Sequence, residues 1–179
     1  MGDIYNNEPF PLEFQILLDD LHSGYVEKFE LAVKNLRNLS DVNKQRATAT
    51  IKTELLHPDP SRRCDAIELL LLIDPQKNLE LVTPLLDDPL SFVRLCVCTE
   101  FEFNEMYQIE LLNPMIKLLL EDSDPDVRYN AAFILGRIGD DRALPALEWA
   151  VQYDKGQDYE EDLVSARANW AIQEILSIK

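Results

Sequence analysis

The residues best suited to chemistry in this sequence are two histidines and three cysteines. His22 and His57 lie beside apparent helix ends, and no cysteine or histidine pair has the spacing of a zinc site. Because a nucleophile and its base can meet in space from distant positions, a Cys–His pair remains an open alternative. No sequence signature surrounds either histidine, so we expect no catalytic residue and no metal ligand.

The cysteines Cys64, Cys96 and Cys98 lie in leucine-rich stretches with helical periodicity. Their odd number and their setting predict reduced, buried thiols, as in a cytoplasmic protein. The first residues show no basic segment followed by a sustained apolar run, so no secretory signal is predicted. The longest apolar run, Ile67 to Ile73, is too short to cross a membrane. We therefore predict a cytoplasmic location and no membrane partner.

Acidic side chains are concentrated in the segment YDKGQDYEEDL, residues 153–163. Clustered carboxylates can bind calcium, but an EF-hand loop needs glycine at its sixth position, and Gly156 is third counted from Asp154. The segment is instead predicted to be a solvated acidic loop that also supplies the N-cap of the last helix.

Composition favours one helical domain with an acidic surface. The chain has 179 residues, 46% of them hydrophobic, and only five glycines, which is typical of helices rather than of turn-rich β structure. Its 33 acidic residues exceed its 17 lysines and arginines, giving a net charge of −16. Such a surface repels nucleic-acid phosphates, so nucleic-acid binding is disfavoured, and it suits either solubility or a basic protein partner.

Residues 124–152 predict two helices joined by a tight corner. Asp124 is placed as the N-cap, Pro125 as the first helical residue and Gly139 as the C-cap. Apolar residues recur on one stripe of the first helix: Val127, Ala131, Ile134, Leu135 and Ile138. The same plan recurs along the chain, and each copy carries an arginine early in its first helix. The segment is thus one unit of a repeat.

The repeats predict a single all-α domain of about ten helices, by count of helical patterns along the chain. Its parts are predicted as N-terminal capping helices in residues 1–56, repeats at 57–86, 87–123 and 124–153, and a C-terminal capping helix at 160–179. Pro84 falls within a helical pattern and is expected to shift or kink that helix.

The stretch DPDVRYNAAFILGRIGDDRALPAL resembles a HEAT repeat of the bacterial type found in phycobilin lyases. The resemblance implies an α-solenoid, a right-handed superhelix of stacked helical hairpins. In that family, acidic and arginine positions stack between neighbouring repeats as a structural ladder. Carried over to this sequence, the ladder residues are Arg63, Arg94, Asp124, Asp126, Arg128 and Arg167, with Asp124 or Asp126 as the acid that accompanies Arg128.

In such an array the second helix of each hairpin lines the concave side. Its outward positions are predicted to bind a partner protein: Glu80, Thr83, Asn113, Lys117, Glu148, Trp149 and Gln152. Trp149 is either an exposed anchor for the partner or packed partly against the next helix, and both interpretations stand. The corner EFEFNEMY, with Phe101, Phe103 and Tyr107, is a second surface, for which core burial is favoured.

The favoured function is a non-catalytic protein–protein interaction module: an adaptor, scaffold or regulator. One alternative, implied by the resemblance alone, is a phycobilin lyase-like or phycobilisome-related component; only then would a cofactor, a bilin, and a phycobiliprotein partner be expected. Another is an acidic inhibitor or immunity protein of a basic enzyme, which the charge suggests. DNA-repair glycosylases built from similar repeats need a positive groove, which this composition disfavours.

Overall fold

Aspartates and prolines set where the helices of this chain begin. The carboxylates of Asp59, Asp74 and Asp124 each accept a hydrogen bond from a backbone N–H in the first turn of a helix, and a proline follows each of them. Proline at the first helical position costs no hydrogen bond, because that N–H has no partner within the helix. These three Asp-Pro pairs therefore mark helix starts, as predicted for Asp124-Pro125, whereas the helix after Asp88-Pro89 begins two residues later, at Ser91.

The computed structural model describes residue 16, residues 19–20 and residues 25–178. Within residues 25–178 there are nine α-helices: α1 (Val26–Arg37), α2 (Asp41–Ile51), α3 (Pro60–Ile73), α4 (Pro75–Val82), α5 (Ser91–Phe103), α6 (Leu112–Glu121), α7 (Pro125–Ile138), α8 (Leu144–Tyr153) and α9 (Val164–Ser177). The described residues contain no strand beyond one isolated bridge, so the prediction of an all-α chain is confirmed. The helix count is one lower than the predicted ten. The first predicted helix, over residues 11–24, falls mostly outside the described residues.

Short 3-10 segments join several of the α-helices. Within residues 25–178 there are four of them: Lys52–Leu56, Thr83–Asp87, Ile109–Leu111 and Asp141–Ala143. The second of these contains Pro84, and α4 stops just before it, at Val82. Proline cannot donate the hydrogen bond that would continue the α-helix, so the tighter turn replaces it. Gly139 ends α7 with a φ of 74°, a left-handed conformation that glycine adopts without steric cost.

Two rows of helices build the array. In one row α3 packs on α5, α5 on α7, and α7 on α9; in the other row α6 packs on α8. The helices α4 and α6 make few backbone contacts with each other, which leaves a gap in the second row. The middle of α3 shows how much the array buries: Leu69, Leu70, Leu71 and Leu72 are each no more than 1% exposed. That burial explains the leucine run in the sequence.

Candidate functional site

Three arginines connect successive repeats through paired hydrogen bonds to aspartates. The guanidinium of Arg63 donates to both carboxylate oxygens of Asp88, at 2.8 and 2.9 Å. Arg94 donates in the same way to Asp122, at 2.6 and 2.7 Å. The third pair is Arg128 with Asp154, at 2.6 and 2.9 Å. We call these three pairs the ladder.

Each ladder arginine also reaches a backbone carbonyl at the start of its own repeat. Arg94 donates to the carbonyl of Asp88 at 2.7 Å, and Arg128 to that of Asp122 at 2.9 Å. Its hydrogen bonds to Asp122 raise the pKa of the Arg94 guanidinium, and the hydrogen bonds to Asp154 do the same for Arg128. Burial alone would raise the pKa of Asp154, but hydrogen bonds from Arg128 and from the Gly156 N–H bring it below its ordinary value. Arg94, Arg128 and Asp154 are therefore held in their charged forms.

The acids of the ladder differ from those that the resemblance implied. Asp124 caps α7 by accepting from the N–H of Asp126, and Asp126 accepts from the N–H of Tyr159 at 2.7 Å. An acid that caps its own helix points along that helix, whereas the arginine reaches toward the following repeat. The partner of each ladder arginine is accordingly an aspartate that follows the second helix of its repeat, as Asp122 follows α6 and Asp154 follows α8. Arg128 thus pairs with Asp154 and with neither of the predicted acids.

Arg167 departs from the ladder. Its guanidinium lies 4.3 Å from the ring centre of Tyr129 and 5.4 Å from that of Trp170, and it donates to the Tyr129 hydroxyl. In the described part of the chain it has no carboxylate within salt-bridge distance. Phe133 stacks on Trp170 with ring centres 5.1 Å apart. Aromatic faces, rather than an acid, hold this fourth arginine.

A groove of about 1080 Å³ opens where the second row of helices is loosest, between α4 and α6. Four of the residues predicted to face a partner line it: Glu80, Thr83, Asn113 and Lys117. Its apolar lining includes Leu79, Leu86, Leu111 and Leu118. The helices that flank the groove thus present polar side chains over an apolar base.

Positive charge in the groove is neutralised, while part of the negative charge is not. Lys117 binds Asp87 at 2.6 Å, and Lys77 binds Asp74 at 3.1 Å. These bonds raise the pKa of both lysines. Glu80 and Glu110 also line the groove, and neither has a lysine or arginine within 4.0 Å among the described residues. The groove can therefore offer carboxylates to a cationic partner.

The predicted residues on α8 lie outside this groove but on an exposed surface. Glu148 and Gln152 are exposed, and Trp149 is 44% exposed. Tyr153, one turn further along α8, is 55% exposed, and its ring centre lies 5.7 Å from that of Trp149. The structure therefore favours the interpretation of Trp149 as an exposed side chain. It adds Tyr153, an exposed neighbour that the sequence analysis missed.

The groove holds further residues that the sequence analysis missed, among them Gln76, Asp87 and Glu110. Gln76 precedes Glu80 by four residues on α4, whereas Glu110 and Asp87 lie in the 3-10 segments next to α6 and α4, three residues before Asn113 and four residues after Thr83. Residues at these spacings share one face of a helix. Following the stripe beyond its first members would have found them.

The cysteines contradict the prediction of three reduced thiols. Cys64 on α3 and Cys96 on α5 form a disulfide, with Cα atoms 5.8 Å apart. Cys98 alone is free, and full burial raises the pKa of its thiol to about 12. The repeat pattern places the two cysteines at nearly equivalent positions, one residue after Arg63 and two residues after Arg94. Stacking of the repeats then makes them neighbours although they lie 32 positions apart in the sequence.

The histidine and cysteine side chains, which could take part in catalysis, are engaged in local contacts where the structure describes them. The ring of His57 accepts from the N–H of Asp59 at 3.0 Å and lies 3.2 Å from a nitrogen of Arg62. His22 lies outside the described residues. Since Cys64 and Cys96 are bonded to each other and Cys98 is buried, none of the three offers an accessible thiolate to a histidine in this state. The Cys–His alternative finds no support in these contacts.

The corner between α5 and α6 also differs from uniform core burial. Phe101 is fully buried, but Phe103 is 50% exposed and Tyr107 is half-buried. The guanidinium of Arg137 lies 5.2 Å from the ring centre of Tyr107. Only the first of the three aromatics is therefore a core residue.

The acidic loop does not cap the last helix as predicted. The residue before α9 is Leu163, and no side chain accepts a hydrogen bond there. Asp158 is instead turned inward and accepts from the N–H groups of Glu160 and Asp162, each at 2.9 Å. Carboxylate oxygens of these three acids lie within 4.8 Å of one another. The loop thus uses a carboxylate to close its own turn.

Comparison with known proteins bears on one part of the chain. The family model of HEAT repeats matches residues 106–172, which run from the corner before α6 into α9. No curated protein matches the chain. None of the described helices is long and apolar enough to span a membrane. The prediction of HEAT repeats is therefore confirmed for residues 106–172, and the match does not single out the phycobilin lyase type.

Proposed function

We propose that this protein is a non-catalytic interaction module that binds a partner protein in the groove between α4 and α6. HEAT repeats are typically protein-interaction modules, and a groove of about 1080 Å³ over an apolar base is the observation that carries the proposal. The wider geometry that we propose is a right-handed superhelix whose second row of helices forms the concave side. An adaptor, scaffold or regulator would use such a surface without chemistry of its own.

The proposed partner is basic. Asp87 and Asp74 already neutralise the two groove lysines, whereas Glu80 and Glu110 are left to bind a lysine or arginine from outside. The net charge of −16 would accelerate the approach of a basic protein and would repel nucleic acid. We accordingly propose a protein partner and no nucleic-acid partner.

An aromatic anchor on α8 extends the proposed interface beyond the groove. Trp149 and Tyr153 present two neighbouring, partly exposed rings next to Glu148. Partly exposed tryptophan and tyrosine are frequent hot spots, because each buries a large apolar area at a small entropic cost. The carboxylates would then select the partner, and the rings would supply much of the affinity.

The absence of catalysis is part of the proposal. Histidine and cysteine, the residues best suited to chemistry, make local contacts: His57 bonds the start of α3, and Cys64 and Cys96 bond each other. A cytoplasmic location and no resident cofactor or metal complete the proposal. Assays of enzymatic turnover are expected to stay at background.

Charge reversal in the groove tests the proposed interface. A basic partner that co-purifies with the tagged chain from its native cells should bind the Glu80→Lys/Glu110→Lys variant at least about tenfold more weakly, since each lost charge contact contributes on the order of 1 kcal/mol. Glu27→Lys/Glu30→Lys reverses two exposed glutamates on α1 and is the matched control, which should bind like the wild type. Equal loss in groove and control variants would indicate long-range charge alone and would reject the groove.

Truncation of the aromatic anchor tests the second half of the interface. Trp149→Ala should leave the melting temperature unchanged, because the side chain is 44% exposed, and should weaken partner binding by about tenfold or more. Isothermal titration calorimetry on the purified pair measures both affinity and stoichiometry. Unchanged affinity would confine the interface to the groove.

The acidic surface also supports a more specific alternative, an inhibitor or immunity protein of a basic enzyme. That alternative requires the co-purified partner to be an enzyme whose activity falls in proportion to complex formed. The pigment-handling alternative, a phycobilin lyase-like or phycobilisome-related component, rests on the repeat type alone. It requires a phycobiliprotein partner and a bilin absorption band in the visible spectrum of the complex.

A further inference from the structure

The Cys64–Cys96 disulfide joins the first helices of two successive repeats. Cys64 lies on α3 and Cys96 on α5, and these helices pack directly against each other. The helices that follow them, α4 and α6, flank the groove. A covalent bond between α3 and α5 therefore fixes two repeats relative to each other at the contact that supports both sides of the groove.

The disulfide is accessible. Both cysteines are half-buried and line a recess of about 440 Å³ between α3 and α5. Thiol–disulfide exchange requires a thiolate to reach one sulfur of the bond, and an open recess allows that approach.

The third cysteine does not interfere. Cys98 is fully buried, and burial raises the pKa of its thiol to about 12. Because exchange proceeds through the thiolate, a buried thiol of this kind neither attacks the disulfide nor resolves a mixed disulfide. The exchange chemistry of this chain is thus confined to one pair.

We propose that the Cys64–Cys96 disulfide is a reversible redox clasp between the first two repeats. A dithiol reductant attacks one sulfur, its second thiol releases the mixed disulfide, and the reductant leaves as its own disulfide. Two electrons and two protons pass to Cys64 and Cys96, which become thiols. Oxidation runs the same steps backwards. The clasp stands independently of the proposed groove function.

A reversible clasp is compatible with the predicted cytoplasmic location. Disulfides in that compartment are usually transient and redox-sensing, whereas permanent ones belong to oxidising compartments. Reduction leaves α3 and α5 packed by their apolar side chains and by the Arg63–Asp88 pair of the ladder. The reduced chain therefore stays folded, and the two repeats gain freedom to shift against each other.

The first test is a redox titration of the full-length wild-type chain. The protein is equilibrated in mixtures of reduced and oxidised dithiothreitol and, separately, of reduced and oxidised glutathione. Free thiols are then alkylated under denaturing conditions and counted by mass spectrometry. We expect Cys64 and Cys96 to gain label together as conditions become more reducing within the glutathione series, while Cys98 is labelled throughout. A pair that stays oxidised across that series, or one that is never oxidised, would overturn the clasp.

The second test asks whether the clasp restrains the repeats. Reduction should lower the melting temperature by about 5–10 °C, as expected for a disulfide closing a loop of this length in a domain of this size. Amide hydrogen exchange should rise in α3 and α5 and stay unchanged in α9. The Cys64→Ser/Cys96→Ser variant should have the melting temperature of the reduced wild type, and reductant should not change it. Equal melting of the oxidised and reduced wild type would reject the restraint, and this comparison needs no variant.

Discussion

Asp87 and Asp88 are neighbours in the sequence and have opposite roles in the structure. Asp88 forms two hydrogen bonds with Arg63, and the side chains of this pair are 8% and 10% exposed. Asp87 reaches across the groove to Lys117, and those side chains are 70% and 55% exposed. The first pair links α3 to the turn before α5, and the second links the 3-10 segment Thr83–Asp87 to α6, but only the first is removed from water.

The ladder, which holds the repeats together, and the groove, which we propose to face a partner, thus differ in how far their ion pairs are removed from water. A buried, bidentate pair leaves a costly unpaired charge when one member is removed. An exposed pair is screened by water and salt and contributes little to stability. We infer that the ladder stabilises the fold, whereas the charges of the groove can change with little effect on it.

The largest effect is expected where a ladder arginine is removed. Arg128→Ala leaves Asp154, whose side chain is 3% exposed, without its cationic partner. The free energy of unfolding should fall by about 3 kcal/mol, the typical consequence of leaving one buried charge of a pair uncompensated. Urea denaturation followed by circular dichroism measures the change.

A second arginine provides the matched control for this variant. Arg142 forms bidentate hydrogen bonds with Asp140, but its side chain is 66% exposed. Arg142→Ala should leave the unfolding midpoint where it is in the wild type. If both arginine variants lose equal stability, burial does not distinguish the ladder from an ordinary surface pair.

A smaller loss is expected at the contact between α7 and α9. A methyl group added at Gly136 would lie 2.9 Å from the Cα of Ala171 and equally close to the Trp170 ring. Gly136→Ala should destabilise the fold by about 2 kcal/mol through overpacking, despite the better helix propensity of alanine. Combining it with Ala171→Gly removes one of the opposing methyl groups and should recover part of the loss in a double-mutant cycle. If Gly136→Ala is as stable as the wild type, α7 and α9 can move apart enough to accommodate the methyl group without cost.

Sequence reasoning succeeded where local patterns decide the structure. The arginines of the ladder follow from their repeated place in the first helix of each unit, and the helix starts follow from Asp-Pro pairs. The acids Asp124 and Asp126 were assigned to the ladder from the resemblance to HEAT repeats, in which an acidic position accompanies the arginine. The structure shows that the acid comes from the start of the following unit, as with Asp154. Partners across repeats depend on stacking, which local patterns do not encode.

The groove and the clasp show the same limit. Glu80 and Lys117 were predicted from helical stripes and do line the groove, but its existence depends on the loose contact between α4 and α6. The repeat pattern places Cys64 and Cys96 at nearly equivalent positions, but the helical periodicity around them indicates only burial, and their pairing depends on how closely the two repeats stack. The assignment of Arg167 to the ladder was wrong for a related reason: its position in the repeat is regular, but the side chains around it are aromatic.

Acidification should weaken the ladder in a defined direction. Hydrogen bonds from Arg128 and Gly156 lower the folded-state pKa of Asp154 below its ordinary value despite the opposing effect of burial. The stabilisation is therefore complete above the unfolded-state pKa and is lost as the pH falls through the folded-state value. The difference in unfolding free energy between wild type and Arg128→Ala should shrink from pH 6 toward pH 3, as urea titrations at each pH would show. If the difference in unfolding free energy did not change with pH, the charge of Asp154 would not be the source of the stabilisation.

The smallest effect is expected from the exposed pair in the groove. Lys117→Ala removes the partner of Asp87, but both carboxylate and ammonium are already open to water. Solvation then replaces the lost contact, so the melting temperature should not change measurably. The same substitution leaves the Asp87 carboxylate unpaired in the groove and should tighten the binding of a basic partner, with a stronger dependence on salt. Calorimetric melting and titrations at two salt concentrations separate the two effects. A clear drop in stability would show that the groove, too, helps to hold the repeats together.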